Sequence, residues 1–280
     1  MVPRFVSEEE FNKNFDKEMA SACEVYERRK EIGITDYTLA TYDYDFISDK
    51  KENLDALGNF LTNNYGYKVN EVQRENEYWI LTGDTTEFPV DESNLMYWAL
   101  DLYCKGYEFE SKLVGYGSFD DPQNQKFPDM DMALNDHYFE LATDAYNKRN
   151  LGMAFIHFST AIRIDPSNPD AWYSRAIVRE ELHTWKSARG DYDKAILLAP
   201  DFVDALVNRA ANKDEAGEYK EAIVDYNKVI ELDPGNEMAF FNRGNTKFNI
   251  KDFKGACEDW NSANQLGADY AQNRIDKHCR

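Results

Sequence analysis

The sequence predicts two folds in one chain, an α+β domain in the first half and an all-α solenoid of stacked helix pairs in the second. A 34-residue period that runs from Asn135 to about Tyr270 predicts the solenoid. Short β-rich and amphipathic stretches that alternate between residues 34 and 121 predict the α+β domain. Residues 122–134, rich in proline and short polar side chains, break both patterns and are predicted to be a linker.

Several residue types recur at the 34-residue interval. Prolines stand at Pro166, Pro200 and Pro234. The other recurring positions hold alanines (Ala154, Ala188, Ala222, Ala256), large residues (Tyr138, Trp172, Leu206, Phe240), aromatic residues (Phe158, Tyr192, Tyr226, Trp260) and small residues (Ala142, Ala176, Ala210, Gly244). Within a unit these residues are three or four apart, which places them on one face of each of two helices. The period is therefore typical of helix–turn–helix units that stack on one another.

This pattern resembles the tetratricopeptide repeat (TPR) family. Three units match the family pattern in full, and a fourth has Gly267 where the proline would stand. The tail Asp269–Cys279 is expected to form a helix that covers the last apolar face, with Tyr270, Ile275 and Ala271 turned inward.

TPR proteins usually bind an extended peptide along a concave face that their first helices line. The resemblance implies such a protein-binding face at Phe139, Thr143, Tyr146, Tyr173, Glu180, Asn208, Asp214, Phe241, Asn242, Asn245 and Phe248. Chaperone-binding members clamp a terminal carboxylate with lysine, asparagine and arginine. At the matching positions this chain carries Phe139, Thr143, Ser174, Asp204 and Asn208. Without the basic residues, the face is expected to stack on a peptide and to hydrogen-bond its backbone.

A charged pattern accompanies the last three units. Their position 7 carries Arg175, Arg209 and Arg243, and their position 23 carries Asp191, Asp225 and Asp259. The first unit has Leu141 and His157 at these positions. Because arginine and aspartate are present together and absent together, the sequence predicts an Arg–carboxylate pair between the two helices of each unit. The functional alternative is that these arginines bind a partner's acidic tail.

The first half begins with a predicted helix over residues 7–30, in which Ser7 and Glu10 have the spacing of a capping box. Helices are also predicted after Ser48 or Asp49 and after Asp91. Strands are predicted at Tyr37–Phe46, Tyr67–Val72, Glu77–Gly83 and Tyr107–Ser118, with a turn at Arg74–Asn76. The order strand, helix, strand, strand, helix, strand predicts a split βαβ, or ferredoxin-like, domain with a four-stranded antiparallel sheet and two helices on one face.

This half also resembles the regulator of ribonuclease E activity B (RraB) family, over roughly residues 34–121. The order of elements matches, and an acidic-aromatic strand ends in a Gly-aromatic-Gly stretch. The family places an acidic residue and a tryptophan where this chain has Val114 and Tyr116. In that family the domain binds the large endoribonuclease, restrains RNA decay and does no chemistry itself. The resemblance implies a protein-binding surface at Glu108, Glu110, Gly115, Tyr116, Gly117, Asp120 and Asp121.

The sequence contains no constellation that indicates catalysis. The four histidines lack partners at metal-ligand spacing, there is no glycine-rich phosphate loop, and no serine or cysteine has the setting of a nucleophile. The four cysteines have no metal-like spacing and are expected to be reduced thiols. No apolar run approaches the roughly 18 residues of a membrane helix. We therefore expect a cytoplasmic protein that is not an enzyme and that has no catalytic residues, metal, cofactor or membrane span.

These observations predict residues 1–121 as the RraB-like domain, 122–134 as a linker, and 135–280 as four TPR units with a capping helix. The expected function is regulation through protein–protein interaction, in which the front domain restrains a ribonuclease or another basic partner and the solenoid recruits a second protein. Two alternatives stay open. One is a scaffold whose front domain dimerises through its sheet, and the other is a small-molecule sensor, because ferredoxin-like domains serve many functions.

The charge of the chain predicts its type of partner. Residues 1–134 hold 28 Asp and Glu and 13 Lys and Arg, so −15 of the net charge of −20 lies there. Because phosphate binding requires cations, we predict no measurable affinity for RNA at physiological salt in fluorescence polarisation. A basic protein partner is expected to associate more slowly as salt rises and as Glu108, Glu110, Asp120 and Asp121 are neutralised. Tight RNA binding, or a rate of association with the protein partner that does not depend on salt concentration, would contradict this prediction.

Overall fold

The computed structural model describes residues 4–118 and 120–279. Contacts divide the chain into two compact units. The first contains the described residues up to Pro166 together with Glu181–His183, and the second contains Ser167–Glu180 and the described residues from Thr184 on. The first helix pair of the repeat region therefore belongs to the same unit as the α+β domain. The secondary structure changes type at residues 122–134, as the sequence indicates, but the division between compact units comes later. The assignment of residues 1–121 as a separate domain stays a prediction.

The helices of the α+β part are α1 (Glu8–Glu31), α2 (Lys51–Phe60) and α3 (Glu92–Glu108). The start of α1 is as predicted, because Ser7 Oγ accepts a hydrogen bond from Glu10 N–H at 3.1 Å. Asp91 caps α3 in the same way, with its Oδ1 2.6 Å from Asn94 N. The predicted cap of α2 is wrong. Lys50 stands at that position without a side-chain cap, and Ser48 is buried, where its hydroxyl donates to Glu110 O.

The strands are β1 (Thr38–Ala40), β2 (Tyr42–Ser48), β3 (Lys68–Val69), β4 (Gln73–Glu75), β5 (Tyr78–Asp84), β6 (Phe88–Val90) and β7 (Lys112–Ser118). The larger sheet has the order β3-β5-β2-β7, with every neighbouring pair antiparallel, and β4 also pairs with β5. Strands β1 and β6 pair separately. Helix α2 packs against β2 and β5, and α3 packs against β7. An antiparallel sheet with packed helices is therefore present, while the ferredoxin-like assignment stays an interpretation.

Several strand predictions differ from the structure. The stretch predicted as one strand at Tyr37–Phe46 is divided between β1 and β2, which belong to different sheets. Of the strand predicted at Tyr67–Val72, only β3 is a strand. The turn predicted at Arg74–Asn76 overlaps β4, which forms a hairpin with β5, and β6 was not predicted. Helix α3 continues to Glu108, so the last strand begins at Lys112. Tyr107 stays helical because its ring stacks on Phe11 of α1 at 4.4 Å, a tertiary contact that overrides its β propensity.

Helix α3 is the centre of the first unit. On the sheet side, the ring of Trp98 packs against Tyr42 at 5.1 Å. On the α1 side, Tyr103 stacks on Phe11 at 5.0 Å. Tyr97 stacks on Phe155 of the first helix pair, with 3.8 Å between ring centroids. Three different elements therefore bury three faces of one helix, which is why its sequence shows no simple amphipathic stripe.

The repeat region consists of helix pairs, as the 34-residue period predicts. They are α4 (Asn135–Asn147) with α5 (Leu151–Ile164), α6 (Pro169–Glu181) with α7 (Trp185–Leu198), α8 (Val203–Glu215) with α9 (Tyr219–Leu232), and α10 (Glu237–Asn249) with α11 (Phe253–Gln265). Pro166, Pro200 and Pro234 each stand two residues beyond a second helix. Within the second compact unit, alanines and aromatic residues fill the helix contacts. Ala188, Ala210 and Ala222 have no exposed surface, and Tyr226 is buried in the same cluster as Ala210 and Ala222. This part of the chain is a helical TPR-like solenoid.

The tail forms helix α12 (Ala271–His278), which covers the end of α11 as predicted. Ala271 is buried and Ile275 packs beside it, whereas Tyr270 is half exposed. Cys257 of α11 and Cys279 form a disulfide, with their Cα atoms 5.6 Å apart. The expectation of four reduced thiols is therefore wrong, because the return of α12 onto α11 brings together cysteines that lie 22 residues apart. Disulfides are typical of oxidising compartments, so a cytoplasmic location stays a prediction.

In the described part of the chain, no helix combines the length and the apolarity that crossing a bilayer requires.

Two glycines of the second unit predict opposite effects of the same substitution. A Cβ at Gly244 would lie 2.7 Å from the ring of the buried Trp260, whereas a Cβ at Gly190 would meet nothing within 4 Å. Gly244→Ala is expected to lower the free energy of unfolding by about 1–3 kcal/mol through overpacking. Gly190→Ala, in the middle of α7, is expected to raise it by about 0.5–1 kcal/mol. Urea unfolding measures both, and equal effects at the two positions would contradict the packing described here.

Candidate peptide-binding face

The first helices α6, α8 and α10 of the second unit present one face, here called the first-helix face. Hydrogen bonds connect neighbouring first helices on it. Asn208 Nδ2 of α8 lies 3.3 Å from the hydroxyl of Tyr173 on α6, and Asn212 Nδ2 donates to Glu180 Oε1 at 2.8 Å. The Tyr173 ring also packs against Phe202 at 4.9 Å between centroids. Amide and aromatic side chains therefore lie next to one another across the face.

Near the end of each first helix on this face, one residue varies from repeat to repeat together with an aromatic residue on the second helix of the same pair. In the pair of α6 and α7, the Tyr192 hydroxyl donates to Glu180 Oε2 at 2.9 Å. One repeat later the equivalents are Tyr226 and Asp214. Because aspartate is one methylene shorter, its buried Oδ1 has no hydrogen-bond partner among the described residues. Burial raises the pKa of Glu180, and the hydrogen bonds it accepts act against that shift.

In the last pair, the same two positions hold Phe248 and Trp260, whose rings pack at 5.7 Å. Phe248 also packs against His278 of α12 at 4.6 Å, and Asn245 accepts a hydrogen bond from Trp260 Nε1 at 3.2 Å. These two predicted site residues therefore help to hold the end of the solenoid. Phe241, by contrast, stays half buried on the face, edge-on to Tyr270 at 4.7 Å.

The remaining predicted face residues lie in the first unit. Phe139 packs edge-on against Phe158 at 5.4 Å, and the hydroxyl of Thr143 donates to Phe139 O at 2.9 Å. The Tyr146 hydroxyl donates to the carboxylate of Glu181. In the first unit these side chains therefore mainly support local structure.

The predicted Arg–Asp pairs are present in all three units that carry the pattern. Arg209 Nε and Nη2 lie 2.9 and 2.7 Å from the two carboxylate oxygens of Asp225, which is a bidentate contact. The pairs Arg175–Asp191 and Arg243–Asp259 repeat this geometry with distances of 2.6 to 2.8 Å. The aspartates are buried, and the arginines keep little exposure. These arginines are therefore structural.

A second cation, which was not predicted from the sequence, joins each pair. Repeat position 11 holds Arg179, Lys213 and Lys247, whose nitrogens lie 2.7 to 2.8 Å from the same aspartates. The first unit has Ala145 there. The signal was available, because these residues recur at the same 34-residue period and lie four positions after each arginine, on the same side of the helix.

In the first repeat unit, which consists of α4 and α5, His157 stands where the later repeat units have an aspartate. Burial lowers its pKa to about 4, with a smaller effect from His137, so the ring is neutral at physiological pH. Its Nδ1 is buried and has no hydrogen-bond partner among the described residues. With Leu141 and Ala145 opposite, the first pair has an uncharged contact where the later pairs have two cations and a carboxylate.

The acidic residues predicted as a front-domain site differ in their availability. Asp120 is buried in an ion pair with Arg29. Glu110 pairs with Arg4 at 2.9 Å, and Glu108 pairs with Lys105 at 2.8 Å. Asp121 is exposed and accepts a hydrogen bond from Gln123 N–H at 2.9 Å. The structure therefore leaves Asp121 as the most accessible of the four carboxylates.

The Gly-aromatic-Gly stretch lies in β7 beside β2. Gly115 and Gly117 pair with Asp45 and Asp43, so the glycines leave these carboxylates uncovered on that face of the sheet. Tyr116 points the other way and packs edge-on against Trp98 at 5.3 Å, within the core. The two glycines and the tyrosine therefore lie on opposite faces of the sheet. As to metal chemistry, no group of three or more His, Cys, Asp or Glu side chains within residues 4–118 and 120–279 is arranged to hold a metal ion.

Comparisons with known proteins support the TPR interpretation of the second half. The family model described as TPR repeat matches residues 215–251, which contain α9 and α10. A search of curated proteins found no match. The resemblance of the first half to the RraB family is not confirmed by any of these comparisons.

Similar solved structures are also TPR proteins. YrrB, described as a TPR protein with an unusual peptide-binding site, is 22% identical, with 64% of this chain and 82% of YrrB covered and a TM-score of 0.48. The TPR domain of Arabidopsis OM64 is 26% identical, with 41% and 96% covered and a TM-score of 0.40. The first TPR of Spaghetti (RPAP3), bound to the HSP90 peptide SRMEEVD, is 22% identical, with 43% and 96% covered and a TM-score of 0.42.

The triad of Arg209, Lys213 and Asp225, between α8 and α9, predicts that substitutions at these three positions have non-additive effects on stability. Arg209→Leu leaves the buried Asp225 with Lys213 as its one remaining cation in this contact, and Asp225→His removes the carboxylate that Arg209 and Lys213 share. Each substitution alone is expected to cost about 1–4 kcal/mol of unfolding free energy. The triple variant that combines Arg209→Leu, Asp225→His and Lys213→Ala reproduces the uncharged contact of the first helix pair. It is expected to recover much of the lost unfolding free energy. Urea unfolding of the single, double and triple variants measures the coupling. Mild single effects that simply add would contradict the triad.

Proposed function

We propose that this protein is a non-enzymatic interaction protein whose first-helix face binds an extended segment of a partner protein. The observation that carries the proposal is the placement of Asn208 and Asn242 at the same position of α8 and α10. An asparagine amide has both donors and acceptors, so successive amides on adjacent helices can hydrogen-bond the backbone of an extended chain. Tyr173 and Phe241 both stand one repeat position before these asparagines and supply aromatic surface for the side chains of the bound segment.

The acidic surface of the α+β part supports a second proposed contact. We propose that the α+β part binds a basic protein surface, and the RraB resemblance suggests a ribonuclease as that partner. The contact would use Asp121 and the exposed side of Glu108 rather than Asp120, whose charge Arg29 already neutralises. The carboxylates of Asp43 and Asp45 beside Gly115 and Gly117 extend the acidic surface. Such a protein would act by occupying the partner's surface, without chemistry of its own.

The peptide-binding proposal predicts the effect of removing the amides. Peptides selected from a displayed random library with the full-length protein are synthesised with both ends blocked, and their affinity is measured by fluorescence polarisation. Asn208→Ala and Asn242→Ala are each expected to weaken binding roughly ten-fold, the cost of about one hydrogen bond. Asn261→Ala is the matched control, because Asn261 is an exposed asparagine on the second helix α11.

The affinity of the Asn261→Ala variant should equal that of the unsubstituted protein. Failure to select any peptide, or equal affinities in all three variants, would overturn the proposed function.

A further inference from the structure

The cations of the first helices in the second unit are all engaged away from the proposed peptide. These helices carry Arg175, Arg179, Arg209, Lys213, Arg243 and Lys247. Each of them forms an ion pair with Asp191, Asp225 or Asp259 on the following second helix. They all occupy repeat positions 7 and 11, whereas the first-helix face uses positions such as 5, 6, 9 and 12. No lysine or arginine of α6, α8 or α10 therefore remains for a peptide carboxylate.

The same face carries carboxylates that no cation neutralises. They are Asp170, Glu180, Asp204, Asp214, Glu215 and Glu237, and within the described part of the chain none of them forms an ion pair. Asp204 lies close enough to Tyr173 to help raise the pKa of that phenol, although burial is the larger cause. Glu237 has the same smaller effect on the pKa of Tyr270. Carboxylates and aromatic rings are therefore neighbours at two places on the face.

Three of these carboxylates stabilise their own helices and three oppose them. Asp170, Asp204 and Glu237 stand in first turns, where a negative charge stabilises a helix. Glu180, Asp214 and Glu215 stand in last turns, where a negative charge opposes the helix dipole. Asp214 also buries an oxygen without a partner among the described residues. Charged residues that destabilise their own helix, without a compensating charge nearby, are typical of binding sites.

We infer that the first-helix face selects extended segments that carry lysine or arginine, and that it rejects acidic segments and free terminal carboxylates. This inference rests on the proposed peptide binding and adds the charge of the ligand. A lysine or arginine side chain can lie over the ring of Tyr173 or Phe241 while its cation reaches Asp204 or Asp214. An acidic segment meets unpaired carboxylates without any free cation in compensation. The face therefore has the opposite charge preference to a carboxylate clamp.

Selection from two random peptide libraries tests the inference with the full-length protein. One library displays internal segments, and the other presents free carboxyl termini. We expect Lys and Arg to be enriched over Asp and Glu, and the internal library to yield the binders. A synthetic binder whose Lys and Arg are replaced by Glu should lose at least ten-fold in affinity. Acidic or carboxyl-terminal binders would overturn the charge preference but leave the proposed function standing, whereas the absence of binders from both libraries would overturn the proposed function itself.

Substitutions locate the contact on the protein. Asp204→Asn and Asp214→Asn are each expected to weaken the basic peptide roughly three- to ten-fold, in the range of partly exposed charge pairs. Glu221→Gln is the matched control, because Glu221 is an exposed carboxylate on the second helix α9 with the same net-charge effect. Equal losses in the control and the face variants would show that net charge alone attracts the peptide, and would overturn the assigned site.

Discussion

Buried aspartates on the second helices set the chemistry of the second unit. A carboxylate at the position of Asp191, Asp225 or Asp259 has lost its water and must be paired, or it would destabilise the fold by several kcal/mol. Each of them takes one arginine and one further cation from the preceding first helix. The pairing fixes the two helices of a pair against each other. It also neutralises the positive charge of the first helices, so the first-helix face is acidic, amide-bearing and aromatic.

The first helix pair follows a different rule. It lacks the triad, and its second helix packs against α3 of the α+β part instead, through the stacked rings of Tyr97 and Phe155. Gly152, near the start of α5, donates its N–H to the buried carboxylate of Asp101 at 3.1 Å. Burial raises the pKa of Asp101 to about 6, since Lys105 and this N–H compensate only in part. The first pair therefore packs against α3 through apolar contacts and a hydrogen bond at a helix terminus, whereas buried ion pairs connect the two helices of each later pair.

The acidity of the α+β part is partly structural. A sequence count treats every aspartate and glutamate as available to a partner, but the fold removes some of them from solvent. Asp101 and Asp120 are buried, one at a helix terminus and the other against Arg29. The carboxylates of Asp43 and Asp45, on the other face of the sheet, lie beside glycines that do not cover them. Only exposed carboxylates extend their field into the solvent, so the proposed contact with a basic partner would depend on them.

The sequence alone determined the helix pairs, their period, the capped starts of α1 and α3, and the Arg–Asp pairs. All of these depend on spacing along the chain, which a repeated pattern records directly. It did not determine the disulfide between Cys257 and Cys279, the central position of α3, or the burial of Asp120. Each of these depends on which distant segments meet, and local propensity carries no information on that. The candidate site divides in the same way: the first-helix residues were predictable from the period, whereas the tertiary structure decided that Asn245 and Phe248 hold the solenoid end and that Asp214 has an oxygen without a partner among the described residues.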